Sequence, residues 1–195
     1  MRIILYCLSA IAIAGSCNKK KDPPVPELPD ATIQYTDLHN RTVAFGQKGS
    51  VDADANGTED LAFRTALVGD PINKEDKQQW RVQVYSTTRL PVNTDDRIPV
   101  MSPKQQVSVQ DFNGYHWAEG VAALLTERVT NENDQVFWRG DWTTADHRFI
   151  PFRITRNGRT YAGWVEVSFN KNQEQLILHR AALSLKENQA IETGS

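Results

Sequence analysis

The chain has 195 residues, 24% of them charged, and a formal net charge of −2. This length suffices for one domain with a real core, and the near-balanced charge excludes a strong electrostatic drive toward nucleic acid. Its two cysteines, Cys7 and Cys17, stand near the start, so the sequence after Cys17 has no thiol for a disulfide, a cysteine zinc site or a cysteine nucleophile.

Arg2, the apolar stretch Ile3 to Ile13 and the small residues Ala14-Gly15-Ser16 have the layout of a secretion signal over residues 1–16. The apolar stretch is shorter than the ~20 residues that a membrane-crossing helix needs. Small-small-Cys after such a run resembles the lipobox of bacterial lipoproteins, with Ala14 standing where Leu is usual. That resemblance implies acylation of Cys17 by palmitate-type chains and anchoring at the cell envelope, with the outer membrane expected. Several chains anchor stably because each buried methylene adds ~0.8 kcal/mol. Residues 17–30 then read as a tether. Lys19-Lys20-Lys21 is a solvated spacer that could touch anionic headgroups. The prolines that follow lock φ and remove donors, giving an extended, semi-rigid linker. The folded domain is expected over residues 31–195.

Within it, strand patterns dominate. Thr32 to Thr36 alternates, Leu61 to Val68 is mostly apolar, and Trp80, Val82 and Val84 share one face of Trp80 to Tyr85. Val107 to Val109 and Gln135 to Trp138 are short. Phe149 to Ile154, Tyr161 to Phe169 and Gln175 to Leu183 complete the set. Asn157-Gly158 predicts a tight hairpin, and Asn170 to Gln173 another turn. Trp117 to Arg128 is expected to form one short helix, weakened by Gly120. Many short strands with turns between them predict an all-β fold, a two-sheet antiparallel sandwich of jelly-roll-like form.

The sharpest chemical feature is Asp52-Ala-Asp54-Ala-Asn56-Gly57-Thr58-Glu59-Asp60. Calcium takes six to eight oxygens at ~2.3–2.6 Å, and a short loop can wrap them around the ion. Asp52, Asp54, Asn56 and Asp60 would supply side chains, Thr58 its carbonyl, and Gly57 the sharp turn. The loop is similar to the calcium loops of dockerin-type and propeller-type repeats. It is not an EF-hand, because Phe63 stands where the bidentate Glu is required. The same residue types also stabilise a plain turn by bonding their own backbone.

Elsewhere the signals are weaker. Trp138 and Trp142 flank Arg139-Gly140-Asp141 and are candidates for stacking on a sugar face. Burial of Trp80, Trp138 and Trp164 in the core is the commoner fate of such rings. The adhesion tripeptide itself is short enough to arise by chance. Asp146-His147 and His116-x-x-Glu119 are possible catalytic or metal pairs, but neighbours on a strand face opposite ways. The sequence has no nucleophile elbow and no phosphate-binding glycine loop.

Together the lipobox, the Lys/Asp/Pro linker, the loop at 52–60 and the hairpin Phe152 to Val167 resemble small lipoproteins of Bacteroidetes-type bacteria. Ala162 replaces the usual aromatic, and Ala181-Ala182 replaces a Tyr-Ala pair in the last strand. The resemblance implies an exported β-sandwich and no particular activity. The expected function is a non-catalytic, lipid-anchored envelope protein that binds a glycan or a partner protein. A glycan-processing hydrolase and a structural subunit of an envelope complex are the alternatives.

Overall fold

The computed structural model describes residues 32–195; the expected signal, Cys17 and the tether lie outside them. The described residues form thirteen strands: β1 Ile33–Ala44, β2 Gly49–Val51, β3 Leu61–Asp70, β4 Glu75–Val84, β5 Thr88–Val92, β6 Gln106–Val107, β7 His116–Glu119, β8 Ala122–Asn131, β9 Val136–Arg139, β10 Arg148–Arg156, β11 Arg159–Asn170, β12 Gln175–Ser184 and β13 Ile191–Glu192. Six make one sheet in the order β1-β12-β11-β10-β5-β7, and five make the other, β2-β3-β4-β8-β9. Neighbours pair antiparallel throughout. The expected antiparallel β-sandwich is the fold.

The core is what period-two patterning dictates. Phe63, Trp80, Val82 and Leu125 from one sheet meet Ile150, Phe152, Val165 and Leu178 from the other, all buried. Trp80 is fully buried, and its indole N–H donates to the Val43 carbonyl at 2.9 Å, which satisfies the ring's one polar atom. Asn157 and Gly158 sit at φ 50° and 74° between the paired Arg156 and Arg159, a two-residue hairpin loop of the kind Asn-Gly favours.

The expected helix at Trp117 to Arg128 is replaced by β7 and β8. Gly120 takes φ 66° between them, a backbone state that ends a strand and cannot continue a helix. Val121, Thr126, Val129 and Thr130 are β-branched, and β8 pairs along β4 and β9, so tertiary pairing overrides the weak helical spacing.

A small third layer lies on the outer face of the six-stranded sheet. Strands β6 and β13 pair there, and Met101, Val107, Trp117, Phe149, Trp164 and Ile191 form a second apolar cluster beneath them. The Trp164 indole N–H donates to the Glu192 carbonyl at 2.9 Å and pins the tail. Thr193, wholly buried, bonds Ser102 and Gln105. Beyond Trp164, the polar side chains of Glu166, Ser168 and Arg180 occupy the same outer face.

Candidate functional site

Two places concentrate chemistry. The first is the loop between β2 and β3. Its base is closed by the Asp60 amide donating to the Val51 carbonyl at 2.9 Å. Above that, Asp52, Asp54 and Asp60 bring carboxylate oxygens within 4.8 Å of one another, with Asp54 and Asp60 buried. Such a group could hold a metal ion. Asp52 accepts the amides of Asn56 and Gly57 at 3.1 and 2.7 Å, and Gly57 takes φ 84° at the expected sharp turn. Asn56 turns its side-chain oxygen to the Thr58 amide at 2.7 Å, and both residues are exposed.

Three like charges this close are costly. Burial, together with the neighbouring Asp54 carboxylate, pushes the Asp60 carboxyl above the usual range. The Ala53 amide at 2.8 Å and the Thr88 hydroxyl at 3.2 Å offset part of that. Among the described residues the one cationic partner is Arg156, whose guanidinium stands 3.3 Å from Asp54. Strand β10 carries Arg156 and so ties this loop to the opposite sheet.

Of the second place the sequence offered only the Asp146-His147 pair. On the outer face of the six-stranded sheet, Glu166 accepts Arg180 Nε at 2.6 Å and His147 Nδ1 at 2.6 Å. His179 stacks on His147, with ring centroids 4.2 Å apart. Its Nδ1 faces the acceptor Oδ1 of Asn40 at 2.7 Å, so that nitrogen carries a proton, and Nε2 stands 2.8 Å from the Ser168 hydroxyl, which also lies 3.4 Å from the Asp146 carboxylate. Ser168 in turn accepts the His147 amide at 2.8 Å. Burial, then the charge of a protonated His147, hold the His179 imidazole below its ordinary value. For Glu166, burial raises the carboxyl, but the bonds from Arg180 and His147 outweigh it and the net shift is downward.

Backbone irregularities build this cluster. Glu166 pairs with Arg180 and Val167 with Leu178, so His179 is an extra residue in β12. On its other side Asp37 pairs with Arg180 and Arg41 with Leu178, so Leu38, His39 and Asn40 bulge out of β1. His39, Asn40 and His147 all have positive φ, at 55°, 51° and 46°. Bulges re-aim Asn40 and His179, and with His147 at positive φ the three line one shallow groove of about 450 Å³.

The remaining sequence candidates fall elsewhere. Trp142 is buried and Trp138 half-buried, the latter 5.7 Å from the Trp80 ring and 5.1 Å from Phe169. They do not form a paired stacking platform. In the adhesion tripeptide, Arg139 is held bidentate by Glu75 at 2.7 and 2.8 Å, and Asp141 faces Arg97 at 3.2 Å. His116 and Glu119 stand three apart on β7 and point opposite ways. Asp146 and His147 precede β10; the Asp146 carboxylate at 3.4 Å and the His147 backbone amide both meet the Ser168 hydroxyl, while the His147 ring turns to Glu166. Comparisons of the chain with family models, with characterised proteins and with solved structures found no match.

Proposed function

We propose that the protein is a non-catalytic binding domain, anchored at a bacterial envelope through lipid on Cys17, whose loop 52–60 is braced by calcium. The observation that carries the ion is the convergence of Asp52, Asp54 and Asp60, two of them buried, with one guanidinium among them. Oxygen-only donors suit a hard cation, and the loop's length suits calcium. Asn56 and the Thr58 carbonyl would complete the set. The ion would be structural, closing the connection between β2 and β3.

The envelope address rests on the lipobox-like Ala14-Gly15-Ser16-Cys17 and on the lysine and proline tether that follows. The resemblance to small Bacteroidetes-type lipoproteins supports the same reading. A glycan or an envelope protein is the ligand such a domain would meet.

Two measurements test the reading. Melting of the wild type in excess calcium and in chelator should differ, with calcium raising the midpoint, because a ligand of the native state alone stabilises it. Identical midpoints, with no heat of calcium binding, would remove the ion from the account. Incorporation of a clickable palmitate analogue should label the full chain and be abolished in Cys17→Ser. Equal labelling of the two would remove the anchor.

A further inference from the structure

We propose that the groove on the outer face of the six-stranded sheet, between β1 and the β11–β12 pair, is a binding site for a neutral saccharide. This rests on the binding function proposed above and names its place and chemistry. Its first support is charge. Glu166 is matched by Arg180 at 2.6 Å, while His147, 2.6 Å from Glu166, and His39, 3.2 Å from Asp37, add positive charge only when protonated. An anion would meet Glu166 and Asp37, and a cation would meet Arg180, which already occupies the Glu166 carboxylate. A neutral ligand meets neither repulsion.

The second support is the set of hydrogen-bonding positions left over among the described residues. Arg180 uses Nε on Glu166 and keeps both Nη groups. Asn40 uses its oxygen on His179 and keeps its amide hydrogens. His147 uses Nδ1 on Glu166 and keeps Nε2, with 59% of its side chain exposed. Arg180 and Asn40 therefore offer donors, and His147 Nε2 is an acceptor in the neutral ring, over a short distance. A sugar hydroxyl both donates and accepts, and a vicinal pair of them matches a guanidinium fork or an amide. Tyr35, exposed at the rim and edge-on to Trp164 at 6.5 Å, offers the apolar contact that a sugar ring's C–H face requires.

The third support is rigidity. Glu166 and Arg180 lie on central strands and their head groups are locked by each other, while Trp164 lies under the Arg180 guanidinium at 5.2 Å. A site of about 450 Å³ is within the roughly 300–1,000 Å³ of small-ligand sites and takes a short stretch of glycan rather than a folded partner. Pre-set polar groups of this kind give specificity at little ordering cost.

Affinity electrophoresis through gels containing mannan, amylose or galactan tests the proposal, with heparin and polygalacturonate as acidic counterparts. At least one neutral polysaccharide should retard the wild type, and high salt should not abolish it. Arg180→Lys keeps a charge on Glu166 but loses the fork, and Tyr35→Leu loses the ring. Each should weaken retardation by about tenfold, the loss of one good contact. Ile72→Ser, on the exposed β3–β4 turn, should leave it unchanged. The proposal is overturned by retardation in acidic gels alone, by none in any gel, or by full retardation of both groove variants with unaltered melting. Recovery of an envelope protein by a domain that ignores every glycan would overturn the saccharide site and leave the broader binding function standing.

Discussion

His147 and His179 lie face to face, with their ring planes 19° from parallel, and each ring's Nδ1 is held by a different acceptor. Glu166 holds one and Asn40 the other. The pair sits among Ser168, Asp146 and Arg180 at the point where the β1 and β12 bulges meet. Protonation of both rings would set two cations in contact beside a guanidinium.

That arrangement predicts an acid-sensitive domain. The His179 imidazole is held below its ordinary 6.5 in the folded chain, so the unfolded chain takes up the proton first as pH falls. Its contribution is therefore present in full above about pH 6.5 and is lost as pH drops through the folded value. The melting temperature should fall from neutral toward mildly acid pH. His179→Gln, which can still meet Asn40 and Ser168, should flatten that fall without lowering the midpoint at neutral pH by more than a few degrees. The contribution of Glu166 has the same sign and is lost as pH falls below its ordinary 4.5.

Asp60 has the opposite sign. Its carboxyl is raised by burial and by Asp54, so without an ion its contribution is complete below about 3.8 and is lost as pH rises through the folded value. In chelator at neutral pH, Asp60→Asn should cost under about 1 kcal/mol or stabilise, because a buried charge is removed while an acceptor for the Ala53 amide remains. Calcium at a hundredfold excess over its Kd should add about 2.7 kcal/mol to the wild type and nothing to the variant. Denaturant melts in the two buffers measure both.

Arg156 shares Asp54 with any bound ion. Arg156→Gln removes a competing charge and should tighten calcium binding by roughly three- to tenfold, the equivalent of about 1 kcal/mol. In chelator the same variant should melt lower, because Asp54 loses the Arg156 guanidinium. Calorimetry with calcium gives the first result and thermal melts the second. Weaker calcium binding would show that the guanidinium organises the loop rather than competes for it.

Trp164 connects the sheet to the tail. Trp164→Phe keeps most of the apolar volume but loses the indole donor to Glu192. It should cost about 1–3 kcal/mol, and limited proteolysis should then cut within residues 186–195 before any other site. Cleavage that begins in the β3–β4 turn instead would place the weakest link elsewhere.

The limits of the sequence are visible at particular residues. Trp80, Val82 and Val84 alternate with polar neighbours, and water alone decides which face turns inward, so their strand and its buried face were readable. Asn157-Gly158 carries its own turn, because those two residues tolerate positive φ where others do not. Trp117 to Arg128 defeated the same logic: its apolar spacing suits a helix, but β5 pairs with its first part and β4 and β9 with its second, and those hydrogen bonds make it two strands.

The candidate sites divide in the same way. Asp52, Asp54 and Asp60 were legible because nine consecutive residues hold the whole loop, and local chain geometry suffices to bring their carboxylates together. Asn40, His147, Glu166 and His179 come from four separate segments. Their meeting depends on the strand order β1-β12-β11-β10 and on two bulges in register. Local propensity and periodicity determined the strands, the turns and the acidic loop. The long-range hydrogen bonds between strands decided which polar side chains share a face, and so created the groove.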